Sequence, residues 1–240
     1  GAVHGRSGYQ LSLTNPSDPR KCEYFAKFDW PRVVSPFLCF PVTDAELARV
    51  EQLERQAICE IKAAFLERKD DIAAIIIEPI QGEGGDNHFR GEFLRALRAL
   101  ADENDALLVF DEVQTGVGLT GRFWAYEHFG VRPDLLAFGK KTQVCGVMAG
   151  GRVDEVAQNV FAVSSRINST WGGNLTDMVR SRRILEVIES DRLIERAAEL
   201  GEHLLARLRV LEQKHAAVTH ARGRGLMCAF TLPSAQVRDE

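Results

Sequence analysis

The feature that most restricts the fold of this sequence is an alternation of short apolar runs with segments of helical periodicity. The run 72–77 is continuously apolar and rich in β-branched residues, as is typical of a strand buried on both faces of a sheet. Similar runs occupy 106–110 and 134–138, and the segment 89–104 carries apolar residues at helical spacing. This order predicts an α/β fold, a mostly parallel sheet with right-handed crossovers and helices on both faces.

Further helices are predicted on either side of this unit. Thr43, followed three residues later by Glu46, is typical of a capping box, and the apolar residues behind it predict a helix over about 43–68. The later segments predict a short helix, two long helices and a strand, at about 122–129, 174–189, 191–214 and 226–232.

Two domains are predicted from this pattern. Residues 1–189 form part of a large domain, and 190–240 begin a smaller α+β domain. The first residues, Gly1 to Arg6, lack an initiator Met and a signal pattern, which indicates a chain that begins inside a domain.

Charge and cysteine usage exclude several classes of function. Thirty Lys and Arg against 34 Asp and Glu give a net charge of −4, so neither nucleic acid nor an anionic membrane surface is an expected partner. No apolar run approaches the roughly 18 residues of a membrane span. Five cysteines without paired spacing predict no disulfide framework and no metal site, and reduced thiols favour a cytoplasmic location.

Polar side chains follow all three predicted strands. Glu83 lies in a glycine-rich loop after the first strand, Asp111 and Gln114 follow the second, and Lys140 and Lys141 follow the third. Ligands of parallel sheets bind beyond the carboxyl ends of the strands. The sequence therefore predicts one site at this edge.

A nucleotide hydrolase is the first chemistry to consider, because Asp111-Glu112 after an apolar run could present Mg²⁺ ligands. Gly139-Lys140 is similar to part of a phosphate-binding loop. That loop requires a glycine five residues before the Gly-Lys pair, where Asp134 stands, and it should precede the acidic strand. Both departures argue against a hydrolase.

Pyridoxal 5'-phosphate fits the same residues better. A buried Asp at a strand end keeps the pyridine nitrogen protonated, and a lysine after the next strand forms a Schiff base with the aldehyde. Taken singly, Asp111 is also explained as a turn cap and Lys140 as a solvated lysine. Their placement at adjacent strand ends favours the cofactor.

Three segments together resemble a known family. The residues at 78–85, 110–121 and 133–140 look like those of a class III aminotransferase of fold type I, and the resemblance covers essentially the whole chain. The segments 138–150 and 168–174 are most similar to members that move the ε-amino group of L-lysine to 2-oxoglutarate. Ornithine and 4-aminobutyrate stay open as alternative amino donors.

The resemblance implies a role for each matching residue. Lys140 carries the covalent bond to pyridoxal 5'-phosphate, rather than Lys141, which would point to the opposite face if the strand continued. Asp111 pairs with the pyridinium and Gln114 hydrogen-bonds the phenolic oxygen. Thr170 holds the phosphate of the other subunit, which implies a homodimer. From the residues alone, Ser169-Thr170 is also explained as a helix N-cap region.

Two further residues are matched to substrate binding. Arg6 corresponds to the family arginine that binds a substrate carboxylate. Glu83 corresponds to the glutamate that pairs with a second, C-terminal arginine. Without the resemblance, both would be assigned as solvated surface residues.

Some family features are missing from the sequence. Val3 stands where an aromatic residue usually stacks on the pyridine ring. The same-subunit phosphate turn and the second arginine are not present, so the chain resembles an internal fragment. A non-catalytic, cofactor-binding or structural role therefore stays open beside the enzyme.

Overall fold

The computed structural model describes residues 1–16, 18–167 and 169–239. The helices are α1 (Gly8–Leu13), α2 (Asp44–Glu67), α3 (Gly91–Glu103), α4 (Gly151–Asp154), α5 (Leu175–Ser190), α6 (Leu193–Lys214) and α7 (Ala235–Asp239). The strands are β1 (Ala74–Ile77), β2 (Ile80–Gln81), β3 (Asn87–His88), β4 (Leu107–Asp111), β5 (Leu135–Phe138), β6 (Gly146–Ala149), β7 (Thr219–Arg224) and β8 (Met227–Thr231). Single 3₁₀ turns occupy Pro19–Lys21 and Ala125–His128.

The central sheet has the strand order β1-β4-β5-β6. The first two pairings are parallel, with Ile76 beside Val109 and Phe110 beside Leu136. The last pairing, β5 with β6, is antiparallel. The predicted α/β class is confirmed, and β6 is an addition that the apolar pattern did not predict.

The prediction that the first strand is buried on both faces is wrong. In the described part of the chain, β1 pairs only with β4 and forms an edge of the sheet. Ala74 is therefore exposed, and Ile75–Ile77 are only half-buried. Strand β4, which has a neighbour on each side, buries Leu108 and Phe110 completely.

Helix α3 covers the sheet with its apolar face. Its buried residues are those that the helical periodicity predicted, Phe93, Leu94, Leu97 and Leu100, together with Ala101. They share one core with Leu108 and Phe110 of β4 and with Phe129 and Val131. Each such side chain contributes about 1.5–3 kcal/mol by leaving water, so this core supports the strand that ends in Asp111.

Helix α2 begins as predicted, but only half of the capping box forms. The Thr43 hydroxyl accepts the Glu46 N–H at 3.2 Å. The Glu46 carboxylate does not accept a hydrogen bond from the Thr43 N–H, which would complete the box. It accepts the Cys39 N–H at 2.6 Å and pairs with Arg49, so it anchors the preceding loop.

The C-terminal part consists of α5, α6 and the β7–β8 hairpin. A Cβ at Gly201 of α6 would lie 2.1 Å from the Gly225 carbonyl oxygen, so the helix and the hairpin turn meet closely at glycine. The Leu226 N–H donates to the Leu119 oxygen at 2.9 Å, which joins the hairpin to the central part. The domain boundary proposed near residue 190 falls at the break between α5 and α6, where Arg192 has a φ of +50°.

Among the described residues, no helix combines the length and the apolar character that crossing a membrane requires.

His88 of β3 gives a testable pH dependence of stability. Its side chain is buried and stacks edge-on against Phe40 at 5.7 Å between ring centroids. Burial, reinforced by the positive charges of Arg224 and Arg222, lowers the pKa of His88 from 6.5 to about 3. Below pH 6.5, His88 becomes protonated in the unfolded chain but stays neutral in the folded chain. The free energy of unfolding therefore decreases as the pH falls from 6.5 towards 3.

We expect this residue to cost about 2–3 kcal/mol of unfolding free energy between pH 7 and pH 4.5. In His88→Leu this loss should disappear, so the variant should become more stable relative to the wild type as the pH falls. Urea unfolding at a series of pH values measures the difference. His203→Leu, on the exposed surface of α6, is the control. Parallel pH curves for wild type and His88→Leu would contradict the prediction.

Candidate active site

The carboxyl ends of β1, β4 and β5 lie at the same edge of the sheet because these strands are parallel. Glu78 follows β1, Asp111 is the last residue of β4, and Lys140 follows β5 after one glycine. The polar residues that directly follow these three strands therefore lie at one edge of the sheet; the residue predicted after β1 was Glu83, which lies five positions beyond Glu78.

Asp111 is held by two contacts. Its side chain is buried, its Oδ1 accepts the Val113 N–H at 3.1 Å, and its Oδ2 lies 2.9 Å from His4 Nδ1. An ionised Asp111 requires a proton on that nitrogen of His4. Sequence reasoning did not select His4, although its position directly before Gly5-Arg6 was the available signal.

Gln114 contacts both lysines. Its Oε1 accepts from Lys140 Nζ at 2.8 Å, and its backbone oxygen accepts from Lys141 Nζ. A Cβ at Gly82 would lie 2.4 Å from Gln114 Cδ, so only glycine leaves room for this amide. Gln114 and Lys140 are thus in contact, and together with Asp111, the last residue of β4, they bring a carboxylate, an amide and an amine to one edge of the sheet as one cluster.

Lys141 does not point away from the cluster. Strand β5 ends at Phe138, and the chain turns, so the alternation expected from a continuing strand does not apply. Both lysine Nζ atoms contact Gln114, with Lys140 exposed and Lys141 half-buried. Burial and the charge of Lys140 lower the pKa of Lys141 to about 8.

Glu112 supports the loop after β4. It is fully buried and accepts the N–H groups of Ala125 at 2.6 Å and Tyr126 at 2.9 Å, together with the Thr115 hydroxyl at 3.1 Å. Burial raises the pKa of Glu112 to about 6 in spite of these bonds. The carboxylate therefore braces the loop that carries Gln114.

Arg6 and Glu83 line the same small cavity near this edge. Both side chains are exposed, and Glu83 Oε1 pairs with Lys21 Nζ at 3.2 Å. The resemblance implies an arginine as the partner of Glu83, so Lys21 is a cation that sequence reasoning missed. A lysine 62 positions away carries no local signal of this pairing.

Thr170 is not part of the cluster within this chain. It lies in an exposed turn before α5 and, among the described residues, forms no hydrogen bond with Asp111, Gln114 or Lys140. The N-cap of α5 is Asn174, whose Oδ1 accepts two backbone N–H groups, so the cap explanation for Ser169-Thr170 is wrong. Asn168, which the resemblance includes, is outside the described residues.

Comparison with known proteins gives the class of this fold and site. The family model described as "Aminotransferase class-III" matches residues 1–240. The chain belongs to the class-III aminotransferases.

Similarity to individual proteins is uneven across this class. The L-lysine-epsilon aminotransferase of Mycobacterium tuberculosis is 61% identical over the whole chain, and the chain covers 53% of it. A structure of lysine aminotransferase from M. tuberculosis in the internal aldimine form superposes with a TM-score of 0.95 at 60% identity, covering 100% of this chain and 54% of that one. A probable mitochondrial 4-aminobutyrate aminotransferase of Caenorhabditis elegans is 36% identical over the whole chain, which covers 49% of it. The chain thus spans about half the length of the curated relatives it matches.

The residues at the sheet edge fit the cofactor of this class, pyridoxal 5'-phosphate. Asp111 offers a buried carboxylate for a protonated ring nitrogen, and Gln114 offers an amide for the phenolic oxygen. The exposed amine of Lys140, 2.8 Å from that amide, is accessible to an aldehyde. These are the three chemical groups that the sequence predicted, and they stand together.

Proposed function

We propose that this chain forms the centre of a lysine 6-aminotransferase. In this proposal the ε-amino group of L-lysine moves to 2-oxoglutarate, giving glutamate and 2-aminoadipate 6-semialdehyde, which cyclises to a piperideine carboxylate. The observation that carries the proposal is the cluster of Asp111, Gln114 and Lys140 at one sheet edge.

Each residue of the cluster has one task. Asp111, fixed by His4, holds a proton on the pyridine nitrogen by its charge. Gln114 would hydrogen-bond the phenolic oxygen, and Lys140 would supply the amine that binds the aldehyde and accepts the proton that the substrate carbon loses. When bound, pyridoxal 5'-phosphate supplies the electron sink next to that carbon.

Substrate carboxylates are assigned to Arg6. Its side chain is exposed beside the small cavity that it lines with Glu83, and a guanidinium binds a carboxylate through two parallel hydrogen bonds. Glu83 places a negative charge at the same cavity, and its exposed position leaves it free to change partner. We propose that it masks a cation for one substrate and releases it for the other.

The lysine donor is favoured over its alternatives by similarity. Identity to the lysine aminotransferase of M. tuberculosis is 61%, against 36% for the 4-aminobutyrate enzyme. An ω-aminotransferase for ornithine or 4-aminobutyrate is the second candidate, and a non-catalytic fragment is the third.

Two measurements test the proposal. Addition of pyridoxal 5'-phosphate should produce the visible absorption band of the lysine-bound cofactor. L-Lysine, L-ornithine and 4-aminobutyrate are then compared as donors to 2-oxoglutarate. If the cofactor binds but another donor is preferred, that donor replaces L-lysine as the proposed substrate. If no absorption band forms, the enzyme assignment is overturned.

We also propose a homodimer in which each subunit completes the partner's site. Large apolar side chains are exposed around Thr170, with Trp171 78%, Leu175 83% and Val179 69% accessible to solvent. An apolar patch of this kind favours a protein interface.

A cytoplasmic location is proposed as well, since the five cysteines are free thiols.

Thr170→Val should raise the dissociation constant of the cofactor about ten- to a hundredfold. One hydrogen bond to a charged phosphate contributes roughly 1.5–3 kcal/mol, and valine keeps the branched shape. Equilibrium titration of the cofactor measures the change. Thr176→Val on α5 is the matched control.

Mixing subunits tests whether sites are shared. A Lys140→Ala subunit with a Thr170→Val subunit should give a heterodimer with one doubly altered and one intact site, and up to about half the wild-type activity. Activity no higher than that of the Thr170→Val subunit alone would mean that each site is built from one chain.

A further inference from the structure

Glu78 is a buried carboxylate that the proposed chemistry leaves without a task. It follows β1 directly and is 5% exposed. Its Oε1 accepts the Val3 N–H at 2.9 Å, and its Oε2 accepts the Gly82 N–H at 3.0 Å. One side chain thus binds two segments that are far apart in sequence.

The first segment leads to Asp111. Val3 precedes His4, whose Nδ1 contacts Asp111 Oδ2 at 2.9 Å. The bond from the Val3 N–H to Glu78 therefore helps to fix the backbone from which His4 reaches Asp111, together with the bond from the His4 N–H to Thr14 Oγ1 at 3.0 Å. Further along, the same segment carries Arg6.

The second segment leads to Gln114. The Cα of Gly82 packs against the Gln114 amide so closely that a Cβ would lie 2.4 Å from its Cδ. Gly82 thus restricts the position of the Gln114 side chain, whose Oε1 accepts from Lys140 Nζ. The residue after Gly82 is Glu83, which lines the small cavity together with Arg6.

We propose that Glu78 is a positioning residue that aligns Asp111 and Gln114 through the segments of His4 and Gly82. This inference rests on the proposed function for its consequence, the binding of the cofactor. Its structural part concerns only residues of this chain.

The chemistry of the two bonds explains why a carboxylate is needed. An ionised carboxylate accepts on both oxygens, whereas a glutamine amide accepts on one and would turn an NH₂ towards a backbone donor. Burial raises the pKa of Glu78, and the two N–H bonds act in the opposite direction. Glu78→Gln is therefore nearly unchanged in shape but must break at least one bond.

Amide exchange in the cofactor-free protein tests the structural part. In Glu78→Gln, exchange at Val3 or Gly82 should accelerate about tenfold or more, because a buried hydrogen bond is lost. The ¹⁵N resonance of His4 should shift as its contact with Asp111 loosens. Glu60→Gln on α2 is the matched control: Glu60 accepts one backbone N–H, that of Val34 at 2.7 Å, which a glutamine oxygen can still accept, so neither Val3 nor Gly82 should respond.

Cofactor titration then tests the consequence. The dissociation constant should rise at least tenfold in Glu78→Gln and stay at the wild-type value in Glu60→Gln. Unchanged exchange at both amides, or faster exchange with unchanged His4 resonance and cofactor affinity, would overturn the inference. If Glu78→Gln does not fold, Glu78→Asp is used with the same criteria. A wild-type protein that binds no cofactor would refute the proposed function instead, and the exchange results would still decide the anchoring role.

Discussion

Lys140→Ala is expected to lower transamination by at least about 10³-fold. Proton transfer by a positioned amine accounts for about 10²–10⁴-fold, and the variant also loses the covalent bond to the cofactor. Lys141 is a poor substitute because its Nζ is half-buried and donates to the Gln114 backbone oxygen. The variant should retain at most noncovalently bound cofactor.

Borohydride reduction followed by peptide mapping checks this assignment. In the wild type the phosphopyridoxyl group should be found on Lys140, and in the variant on no lysine. Lys62→Ala, on the exposed face of α2, controls for nonspecific labelling. Label on Lys141 would show that the second lysine of the pair is the reactive one.

Asp111→Asn should lower turnover at least about a hundredfold while the protein stays folded, since losing one preorganised electrostatic contact at the reacting group costs this much or more. The amide has nearly the shape of the carboxylate and can still accept the Val113 N–H. It has no charge with which to hold a proton on the pyridine nitrogen.

The measurement is kcat at saturating substrates, with thermal unfolding as a check on the fold. Asp105→Asn is a matched control, because Asp105 is exposed and lies at the opposite, amino end of β4. Near-normal turnover in Asp111→Asn would refute the electron-sink role of this residue.

The cluster at the sheet edge could be predicted because its geometry follows from local patterns. Apolar runs identify strands, helices between them require parallel pairing, and parallel pairing brings the residues after each strand to one edge. The pattern placed Asp111, Gln114 and Lys140 at this edge, whereas their individual roles came from the family resemblance and stay predictions. The L-lysine donor and the homodimer stay predictions, since half the length of the relatives lies outside this chain.

Other features depend on how distant segments meet. Burial of β1 was predicted wrongly because a strand's composition does not reveal its place in the sheet. Strand β6 has only three apolar residues after its first glycine, and β7 is rich in arginine and glycine, so neither forms an apolar run as long as those that predicted the other strands. The opposite orientation of Lys141 was expected only if the strand continued, and the sequence did not reveal that β5 ends at Phe138.

By itself, the sequence determined the order of the strands along the chain and the edge at which Asp111, Gln114 and Lys140 lie, because periodicity and spacing act over a few residues. Only the tertiary structure decided which residues support them. His4 reaches Asp111 across 107 positions and Glu78 reaches Val3 across 75. These contacts arise where loops from separate parts of the chain pack at one sheet edge, and hydrogen bonds over such distances leave no periodic trace in the sequence.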